Sequence, residues 1–284
     1  AGRRRTHHDH RLAVVAETRA GMAEQLSSFL DGDPLEGCVA GQARPRTGAT
    51  LVFSGQGGQW QGRGRELLQH ERAVRAALER CDRAIEPIAG WSPLGWLDEA
   101  RPLDSFDVIQ VCLFCMQVGL AELWRSWGIA PRAVLGHSMG EVAAAHVAGC
   151  LTVEDAALVI CTRSRLMRAT SGTGAMAVIG LGRERTERAL ADHAGRISVA
   201  AVNSTDSTVV SGERDAVEQL VAQLSARDPE LFCKLVKVDV PAHSPVMDPL
   251  RGPLAEALAD IRPRAAQIPL YSTVTGDVLE GDQL

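Results

Sequence analysis

Apolar residues along the chain form short runs that alternate with longer stretches at helical spacing, a pattern typical of α/β proteins. The run Ala49–Phe53 predicts a buried strand, and the run at 133–135 predicts another. Both runs lead into glycines, which force turns. A further helix is expected to begin at Thr152, where Thr152 and Asp155 resemble a capping box. Other helices are predicted over residues 67–88, 108–127 and 139–148.

Beyond the middle of the chain the elements become shorter. Their predicted order, β-α-β-β-α-β, is that of the ferredoxin-like arrangement. The last strand alternates valines with Lys237 and Asp239, as expected where one face of a strand is buried. We therefore predict a small ferredoxin-like subdomain inserted between the two parts of a larger α/β domain. Its elements are predicted at residues 176–181, 183–193, 197–203, 208–211, 215–226 and 233–240.

The amino-terminal region has a different character. It starts with Ala1 in a polar run that ends at His10, which is typical of a fragment of a longer protein. His7, His8 and His10 in this run could bind a metal, but a solvated linker is the interpretation that we favour. After this run, a strand and a helix are predicted at residues 11–17 and 21–30, followed by a stretch rich in Gly and Pro.

The composition is that of an ordinary globular protein, with 45% hydrophobic and 23% charged residues among 284. The net charge of −5 arises from 30 basic and 35 acidic residues without a basic stripe, which argues against a nucleic-acid partner. No apolar run approaches the roughly 18 residues that a membrane span needs, and no secretory signal opens the chain. We therefore expect no membrane association and a cytoplasmic location.

The chain has 7 cysteines, an odd number that suits a reducing cytosol better than a disulfide framework. Cys112 and Cys115 form a C-x-x-C pair inside an apolar segment at helical spacing. No second pair or histidine cluster in the sequence completes a metal site with them. Core packing is the interpretation that we favour for this pair, with a redox or zinc function as the alternative.

The sequence Gly136-His137-Ser138-Met139-Gly140 is a G-x-S-x-G motif between a predicted strand and a predicted helix, the context of a nucleophile elbow. Its glycines permit a tight turn that raises the serine hydroxyl above the sheet. The following helix then directs free N–H groups at the reacting oxygen. Because Gly and Ser are also common turn residues, the alternative to a nucleophilic Ser138 is an ordinary turn.

A serine nucleophile needs a base, and the chain has 8 histidines. His70, His146 and His193 lie on or near predicted helices, where structural roles are expected. His243 instead follows the end of a predicted strand, and Pro241 stiffens the approach to it. A loop after the inserted subdomain could return a base to the nucleophile, so His243 is the candidate base.

Arg163 is predicted to lie centrally on the apolar face of the helix that begins near Thr152. A buried charge without a partner is costly, so we expect an anion to meet it. One alternative is structural: a long side chain that reaches solvent, or an internal ion pair. The functional alternative is a guanidinium that holds a substrate carboxylate through two parallel hydrogen bonds.

The order and spacing of these motifs resemble the acyltransferase domain of type I polyketide synthases, a family related to malonyl-CoA:acyl carrier protein transacylases. The similarity covers essentially the whole chain. It rests on residues 53–59 (F-S-G-Q-G-G-Q), 136–141 (G-H-S-M-G-E), 162–165 (T-R-S-R) and 174–176 (G-A-M), on Asn203 within A-V-N-S, and on His243.

This resemblance implies an α/β fold with an α/β-hydrolase-like core, a parallel sheet and an inserted ferredoxin-like subdomain. Members of the family usually continue past segment 271–276 into another helix-rich stretch. We therefore expect the carboxy-terminal part of the large subdomain to be absent from this chain. The implied division is 1–48 as the end of a ketosynthase-to-acyltransferase linker, 49–175 and 241–284 as the large subdomain, and 176–240 as the small subdomain.

The resemblance also implies a ping-pong transfer of a malonyl-type extender unit from CoA to the phosphopantetheine thiol of an acyl carrier protein. Ser138 would be the nucleophile and His243 the base, with no metal or cofactor in this domain. The expected partners are malonyl-CoA or methylmalonyl-CoA, the acyl carrier protein and the ketosynthase domain of the same polypeptide. The remaining implied roles are backbone N–H groups of Gln56 and Met139 as the oxyanion hole, and Arg163, His137 and Ala242 as substrate-binding residues.

The sequence leaves the extender unit open. Val240-Pro241-Ala242-His243 stands where malonyl-selective members often have H-A-F-H and methylmalonyl-selective members Y-A-S-H. Ala242 leaves room for an α-methyl group, whereas Met139 stands where methylmalonyl enzymes often have Gln and favours malonyl. We favour malonyl, with methylmalonyl as the alternative.

Two other classes of protein remain as alternatives. A serine hydrolase or thioesterase would share the nucleophile and the base. It would normally supply an acid between them in the sequence, where we find no persuasive candidate, and it has no need of Arg163. A structural docking domain with relic motifs is the non-enzymatic alternative, and the intact Ser138, Arg163 and His243 argue against it.

Overall fold

The computed structural model describes residues 8–33, 35–43, 48–59, 61–62, 64–238 and 240–284. The chain divides into two compact units, Ala1–Gly48 and Ala49–Leu284. His7 and Asp239, which the sequence analysis named, lie outside the described residues.

The first unit is a two-stranded antiparallel sheet whose strands are joined through one helix. Gln25 on the helix donates from Nε2 to the backbone carbonyls of Val15 (3.0 Å) and Glu36 (3.1 Å), and so ties the helix to both connections. The second strand was not predicted, because its sequence C-V-A-G-Q does not alternate. The elements are β1 (His10–Val14), α1 (Arg19–Leu30) and β2 (Cys38–Gln42).

The second unit carries the remaining helices and strands. They are β3 (Ala49–Phe53), α2 (Arg65–His70), α3 (Arg72–Ala89), α4 (Pro93–Asp98), α5 (Phe106–Ser126), β4 (Pro131–Gly136), α6 (Gly140–Ala148), α7 (Val153–Arg168), β5 (Gly174–Ile179), α8 (Arg183–Ala189), β6 (Ile197–Ser204), β7 (Ser207–Glu213), α9 (Arg214–Arg227), β8 (Cys233–Leu235), α10 (Arg251–Ala257), β9 (Leu270–Tyr271) and β10 (Val278–Leu279). Short 3-10 helices occur at Ala191–His193, Pro245–Leu250 and Gly281–Gln283.

A four-stranded sheet with the order β10-β9-β4-β3 forms the centre of the larger part of this unit. The pairs β3–β4 and β4–β9 are parallel, so the predicted α/β class with a parallel sheet is confirmed. Phe53 pairs with Gly136, which brings the two glycine-containing loops to the same edge of the sheet. The prediction of a buried β3 is wrong in part: β3 lies at the edge, where Val52 is 66% exposed although Phe53 is buried.

The helix α5 passes through the core of the same part and packs against α3, α6 and α7. It has the length and apolar composition of a membrane span, which corrects the expectation that no apolar run approaches that length. Since 72% of its most apolar 18-residue stretch is buried inside the protein, α5 is the core helix of a folded domain. Cys112 and Cys115 on this helix are buried free thiols, and burial raises the pKa of Cys112 to about 12. The core-packing interpretation of this pair is confirmed.

The other part of the unit is a four-stranded antiparallel sheet with the order β6-β7-β5-β8 and a hydrophobic core of its own under α8 and α9. Its elements follow the predicted order β-α-β-β-α-β. The predicted last strand is too long, since β8 ends at Leu235. Beyond it, the N–H of Val238 donates to the carbonyl of Val236 at 2.8 Å, which turns the backbone out of the ladder.

Helix boundaries mostly follow the prediction, but one predicted helix is divided, one is shorter and two helices were not predicted. The predicted helix 67–88 is two helices, because Glu71 between them has an extended backbone (φ −110°, ψ 101°). The predicted helix 183–193 is too long, since α8 ends at Ala189, and the short helices α4 and α10 were missed altogether. The capping box at the start of α7 is confirmed, with Thr152 and Asp155 each bonding to the backbone of the other.

Candidate active site

The turn between β4 and α6 has the shape of a nucleophile elbow. Ser138 at its tip has a φ of 52°, a left-handed conformation that is uncommon for a residue with a side chain. A Cβ atom on Gly136 would lie 2.3 Å from backbone atoms of Gly140, and one on Gly140 would lie 2.2 Å from the carbonyl oxygen of Phe53. Glycine is therefore required at both positions for the turn to pack against β3.

Thr273, in the segment that follows β9, braces this turn. Its Oγ1 donates to the carbonyl oxygen of Gly136 at 2.8 Å, and its backbone N–H donates to Oε1 of Glu141 at 2.9 Å. Neither Thr273 nor Glu141 was predicted to contribute to the site. Both hold the first turn of α6 against the end of the sheet.

Ser138 and His243 form a hydrogen-bonded pair across 105 residues of sequence, with 2.9 Å between Oγ and Nε2. His243 follows the small sheet in a loop and also has a left-handed backbone, with a φ of 61°. The hydroxyl of Ser198 on β6 donates to the His243 carbonyl at 3.1 Å and helps to fix this loop. The distance is that of a nucleophile and its base, so the structure brings the two predicted residues together.

Burial is the main cause that lowers the pKa of the His243 imidazole below its usual value of 6.5. The positive charge of Arg163 and the neighbouring His137 lower this pKa further, whereas Glu141 opposes them. His243 is therefore neutral at pH 7 and able to accept a proton. In the described residues no carboxylate forms a hydrogen bond with its ring.

Arg163 on α7 points its guanidinium at the same serine. Nη1 donates to Oε1 of Gln110, and Nη2 lies 3.4 Å from Oγ of Ser138. Burial lowers the pKa of Arg163 to about 10, so the group stays positively charged at neutral pH. Within the part of the chain that the structure describes, no carboxylate lies within 4.0 Å of it. The anion that the sequence analysis expected is therefore not supplied by these residues.

Gln110 is a site residue that the sequence analysis missed. It lies on α5 with 3% of its surface exposed, accepts from Arg163, and donates from Nε2 to Oε1 of Gln56 at 3.1 Å. Its side chain thus links the guanidinium to the loop after β3. The available signal was a single polar residue within the apolar stretch 108–116 of α5, the same kind of signal that marked Arg163.

Two backbone N–H groups close to Ser138 in sequence or in the cavity lining were predicted as oxyanion donors. They belong to Met139, directly after the nucleophile, and to Gln56, in the loop after β3. Neither N–H donates a hydrogen bond to another described residue. Gly55 permits the loop to approach closely, since a Cβ there would lie 2.8 Å from Nδ1 of His137.

A cavity of about 260 Å³ opens in front of Ser138, between the two sheets of the second unit. Its polar end is formed by Gln56, Gln110, His137, Ser138, Arg163 and His243, together with Gly55. Its other walls are mostly apolar and include Ala242, whose substrate-binding role stays a prediction. They are formed by Phe106, Met167, Met176, Val178, Ala200, Ala201, Asn203, Val209, Val236, Val238, Val240 and Ala242.

Met139 differs from the other predicted residues because its side chain points away from the cavity. It is wholly buried in the core of the larger part. The side chain of Met139 therefore lines no part of the cavity. His70, His146 and His193 also lie outside the cavity lining. Among the described residues, no group of three or more His, Cys, Asp and Glu side chains could hold a metal ion.

Comparison with known families gives a match over nearly the whole second unit. Residues 50–284 match the family model described as acyl transferase domain. The chain belongs to the acyl transferase domain family. Its relatives place it among the acyltransferase domains of polyketide synthases, as the resemblance of its motifs predicted, and the chain is an acyltransferase by family.

Two relatives illustrate the similarity. The spectinabilin polyketide synthase system protein NorA' of Streptomyces orinoci is 44% identical over 279 residues, which is 97% of this chain and 8% of that protein. The erythronolide synthase EryA3 of Saccharopolyspora erythraea is 42% identical over 275 residues, covering 96% of this chain and 8% of that protein. The chain thus spans less than a tenth of the length of these relatives.

Solved structures agree with the fold. The acyltransferase domain from module 8 of the salinomycin polyketide synthase superposes with a TM-score of 0.92 at 36% identity, over 99% of this chain and 67% of that one. A loading acyltransferase from the avermectin synthase gives 0.78 at 42% identity, over 83% of this chain and 76% of that one. The acyl transferase domain of SpnD, in complex with 2-(pent-4-yn-1-yl)malonyl, superposes with a TM-score of 0.78 at 25% identity, over 97% of this chain and 76% of that one.

Proposed function

We propose that this acyltransferase domain moves a malonyl-type extender unit from CoA to the phosphopantetheine thiol of an acyl carrier protein through an acyl-serine intermediate. The observation that carries the proposal is the position of Arg163. Its guanidinium lies 3.4 Å from Oγ of Ser138 and meets no carboxylate among the described residues. A positive charge with this placement favours a substrate that brings its own carboxylate to the serine.

In the first half-reaction, His243 takes the proton of the Ser138 hydroxyl through Nε2, and Oγ attacks the thioester carbonyl carbon of the acyl-CoA. The support for this step is the 2.9 Å contact between the two side chains and the lowered pKa of His243. When the tetrahedral intermediate collapses, the carbon–sulfur bond breaks. The CoA thiol leaves with the proton that His243 returns, and the acyl group stays on Ser138 as an ester.

The oxyanion of that intermediate would be held by the N–H groups of Met139 and Gln56. The support for this role is that Met139 directly follows Ser138, that Gln56 lines the same cavity, and that neither N–H donates to another described group. Preorganised donors of this kind stabilise charge as it develops in the transition state. Gln110 keeps Gln56 and Arg163 in one hydrogen-bonded chain, so the carboxylate site and the oxyanion site share a support.

In the second half-reaction, the phosphopantetheine thiol of a carrier protein attacks the acyl-serine carbonyl, and His243 relays the proton from the thiol to the leaving Oγ. We propose that the domain needs no metal or cofactor of its own, since Ser138 and His243 supply nucleophile and base. The phosphopantetheine arrives on the acyl carrier protein. The similarity to polyketide synthases supports that partner. It also supports a ketosynthase domain on the same polypeptide. We propose that the protein is located in the cytoplasm.

We assign residues 49–175 and 241–284 to an α/β-hydrolase-like large subdomain and 176–240 to a ferredoxin-like small subdomain. The support for the first is a parallel sheet that carries a nucleophile elbow. The support for the second is the order β-α-β-β-α-β on one antiparallel sheet. Residues 1–48, which form a compact unit of their own, are assigned to the end of a ketosynthase-to-acyltransferase linker.

Malonyl is the extender unit that we propose, and methylmalonyl is a second candidate that one observation favours. The sequence cue for malonyl rested on Met139, whose side chain is buried away from the cavity. The cue for methylmalonyl rested on Ala242, which lines the cavity. The SpnD domain, bound to a 2-substituted malonyl group, is a relative that accommodates such a substituent.

A serine hydrolase is the competing enzymatic function. A hydrolase would normally orient its histidine with a carboxylate, and the described residues place none in hydrogen-bonding contact with the His243 ring. It would also gain nothing from a guanidinium beside the nucleophile. Arg163 therefore favours acyl transfer from a carboxylated substrate over hydrolysis.

Intact-protein mass spectrometry after incubation with malonyl-CoA, methylmalonyl-CoA and acetyl-CoA tests the proposed function. We expect the wild-type chain to gain the mass of a carboxylated acyl group and the Ser138→Ala variant to gain none while remaining folded. Thermal unfolding of both proteins is the control for folding. Acylation of Ser138→Ala at the wild-type rate would assign the nucleophile to another residue.

A further inference from the structure

The loop that follows β3 is held to α5 by two glutamine side chains. Gln110 bonds to the side chain of Gln56, as described above. Gln117 lies seven residues further along α5, two helical turns away and on the same face. Its Nε2 donates to the carbonyl oxygen of Ser54 at 2.6 Å. The two glutamines therefore contact the loop on either side of Gly55.

The environment of Gln117 is unusual for a residue that only fills space. Most of its neighbours on α5 are apolar and buried. Its Oε1 is also buried and has no hydrogen-bond partner in the part of the chain that the structure describes. A buried amide oxygen without a partner is unfavourable, so an apolar side chain of similar size would suit the packing better. What the glutamine adds is the donor to Ser54.

The carbonyl of Ser54 begins the dipeptide that carries the N–H of Gln56. Between them, Gly55 has no side chain to restrict its backbone rotation. The N–H of His137 fixes the preceding carbonyl, that of Phe53, at 2.8 Å. Gln117 fixes the next carbonyl, and Gln110 holds the Gln56 side chain. With the Ser54 carbonyl released, the peptide groups around Gly55 could rotate and turn the Gln56 N–H away from Ser138.

We propose that Gln117 is a positioning residue for the oxyanion site, since its hydrogen bond to the Ser54 carbonyl sets the direction of the Gln56 N–H. This inference rests on the proposed function, in which that N–H stabilises the tetrahedral intermediate. Gln117 itself touches neither the substrate nor Ser138. Its effect passes through the backbone of the loop, in contrast to Gln110, which contacts Arg163 directly.

This role has a kinetic signature that packing alone would not produce. The oxyanion forms on every thioester substrate, with or without a second carboxylate. Loss of the Ser54 anchor should therefore slow acylation of Ser138 by the same factor for malonyl-CoA and acetyl-CoA. It should lower the rate at saturating substrate and leave the concentration at half-saturation nearly unchanged, because the interaction strengthens in the transition state.

The experiment compares Gln117→Met with Gln117→Lys in the full polypeptide that carries this chain. Met matches the size of Gln but has no donor, whereas Lys reaches as far and keeps an N–H donor for the Ser54 carbonyl. Single-turnover acylation of Ser138 is measured with malonyl-CoA and with acetyl-CoA, and thermal unfolding is measured on the same samples. Leu113→Met, a buried change on the same helix, is the matched control.

We expect Gln117→Met to be about tenfold slower with both substrates, since removal of one oxyanion donor outright costs on the order of 10²–10³. Gln117→Lys should be faster than Gln117→Met although it unfolds at a lower temperature, because its charge would be placed where the Gln117 amide oxygen is buried. Activity and stability would then rank the two variants in opposite orders.

A wild-type acylation rate in Gln117→Met would overturn the assignment, as would activities that follow the unfolding temperatures across the set. A loss confined to malonyl-CoA would also overturn it, because that pattern belongs to the carboxylate site. A wild-type protein that forms no acyl-serine at all would contradict the proposed function itself. The outcome differs when the wild-type protein is acylated and Gln117→Met is acylated at the same rate, because that result contradicts only the role of Gln117.

Discussion

Arg163 donates from Nη1 to Oε1 of Gln110, a neutral partner, although it carries the single guanidinium that lines the cavity in the described residues. An amide can orient a guanidinium but leaves its charge uncompensated. A substrate carboxylate would complete this environment through two charge-assisted hydrogen bonds. The pair therefore resembles a binding site for an anion more than an internal ion pair.

Replacing Arg163 with Ala should change substrate preference and not simply reduce activity. The carboxylate of malonyl-CoA would lose its partner, at a cost of about 2–5 kcal/mol in the acylation transition state. Acetyl-CoA has no such group and should lose little. Competition between the two substrates, read by intact mass, measures the ratio. Arg165→Ala, on the exposed side of the same helix, is the control, and equal losses for both substrates would contradict the anchor role.

The pH dependence of acylation should follow the lowered pKa of His243. The imidazole is active as a base when neutral, so the rate should rise as pH increases through a pKa below 6.5 and then level off. Because the positive charge of Arg163 is one cause of the lowering, Arg163→Ala should move the rise to higher pH. Single-turnover acylation from acetyl-CoA between pH 5 and 8 measures both profiles. A midpoint that stays or moves to lower pH in Arg163→Ala would argue against this coupling.

An aromatic side chain at position 242 should disfavour α-substituted extender units. Ala242 lines the cavity, so the ring of Ala242→Phe would occupy space beside the acyl α-carbon. We expect the ratio of methylmalonyl to malonyl transfer to fall about tenfold or more, the usual effect of a steric change of this size in a pocket. Val202→Phe adds the same ring at an exposed position outside the cavity lining and should leave the ratio unchanged. An unchanged ratio in Ala242→Phe would remove this position from the substrate pocket.

Gly140, two residues after the nucleophile, should not tolerate a methyl side chain. In Gly140→Ala the new Cβ would lie 2.2 Å from the carbonyl oxygen of Phe53, so the strand and the elbow would have to separate. We expect a loss of about 1–3 kcal/mol in the free energy of unfolding, together with a slower acylation. Gly41→Ala is the control: the new Cβ would meet nothing within 4 Å at this exposed position of β2, so the free energy of unfolding should change by less than about 0.5 kcal/mol. Chemical denaturation of both variants measures the difference, and equal stabilities would contradict the steric argument.

Much of this architecture could be predicted from the sequence because its signals are local. The elbow, the capping box of α7 and the position of Arg163 on an apolar face all depend on residues within two helical turns of one another. The edge position of β3 could not be predicted in this way. Its apolar residues predict a buried strand, but burial depends on which strands the rest of the chain places beside it.

The missed parts of the site have the same cause. Gln110 and Gln117 are polar residues on an apolar helix, which local patterns record as interruptions. Their meaning comes from the loop that they contact, more than 50 residues away in the sequence. Likewise, the side chain of Met139 adjoins the nucleophile in sequence but points into the core. A substrate preference inferred from that side chain has no contact through which it could act directly.

The cavity draws its two kinds of wall from different stretches of the chain. The side chains to which we assign chemical roles lie outside residues 174–240, whereas most of the apolar lining comes from residues within that range. The reacting side chains and the shape of the cavity can therefore change independently of each other. A recombination event that exchanges residues 174–240 would give the same nucleophile, base and guanidinium a differently shaped apolar wall. Point substitutions have the same effect, because replacing these valines and alanines changes the shape of the cavity and leaves the reacting side chains unaltered.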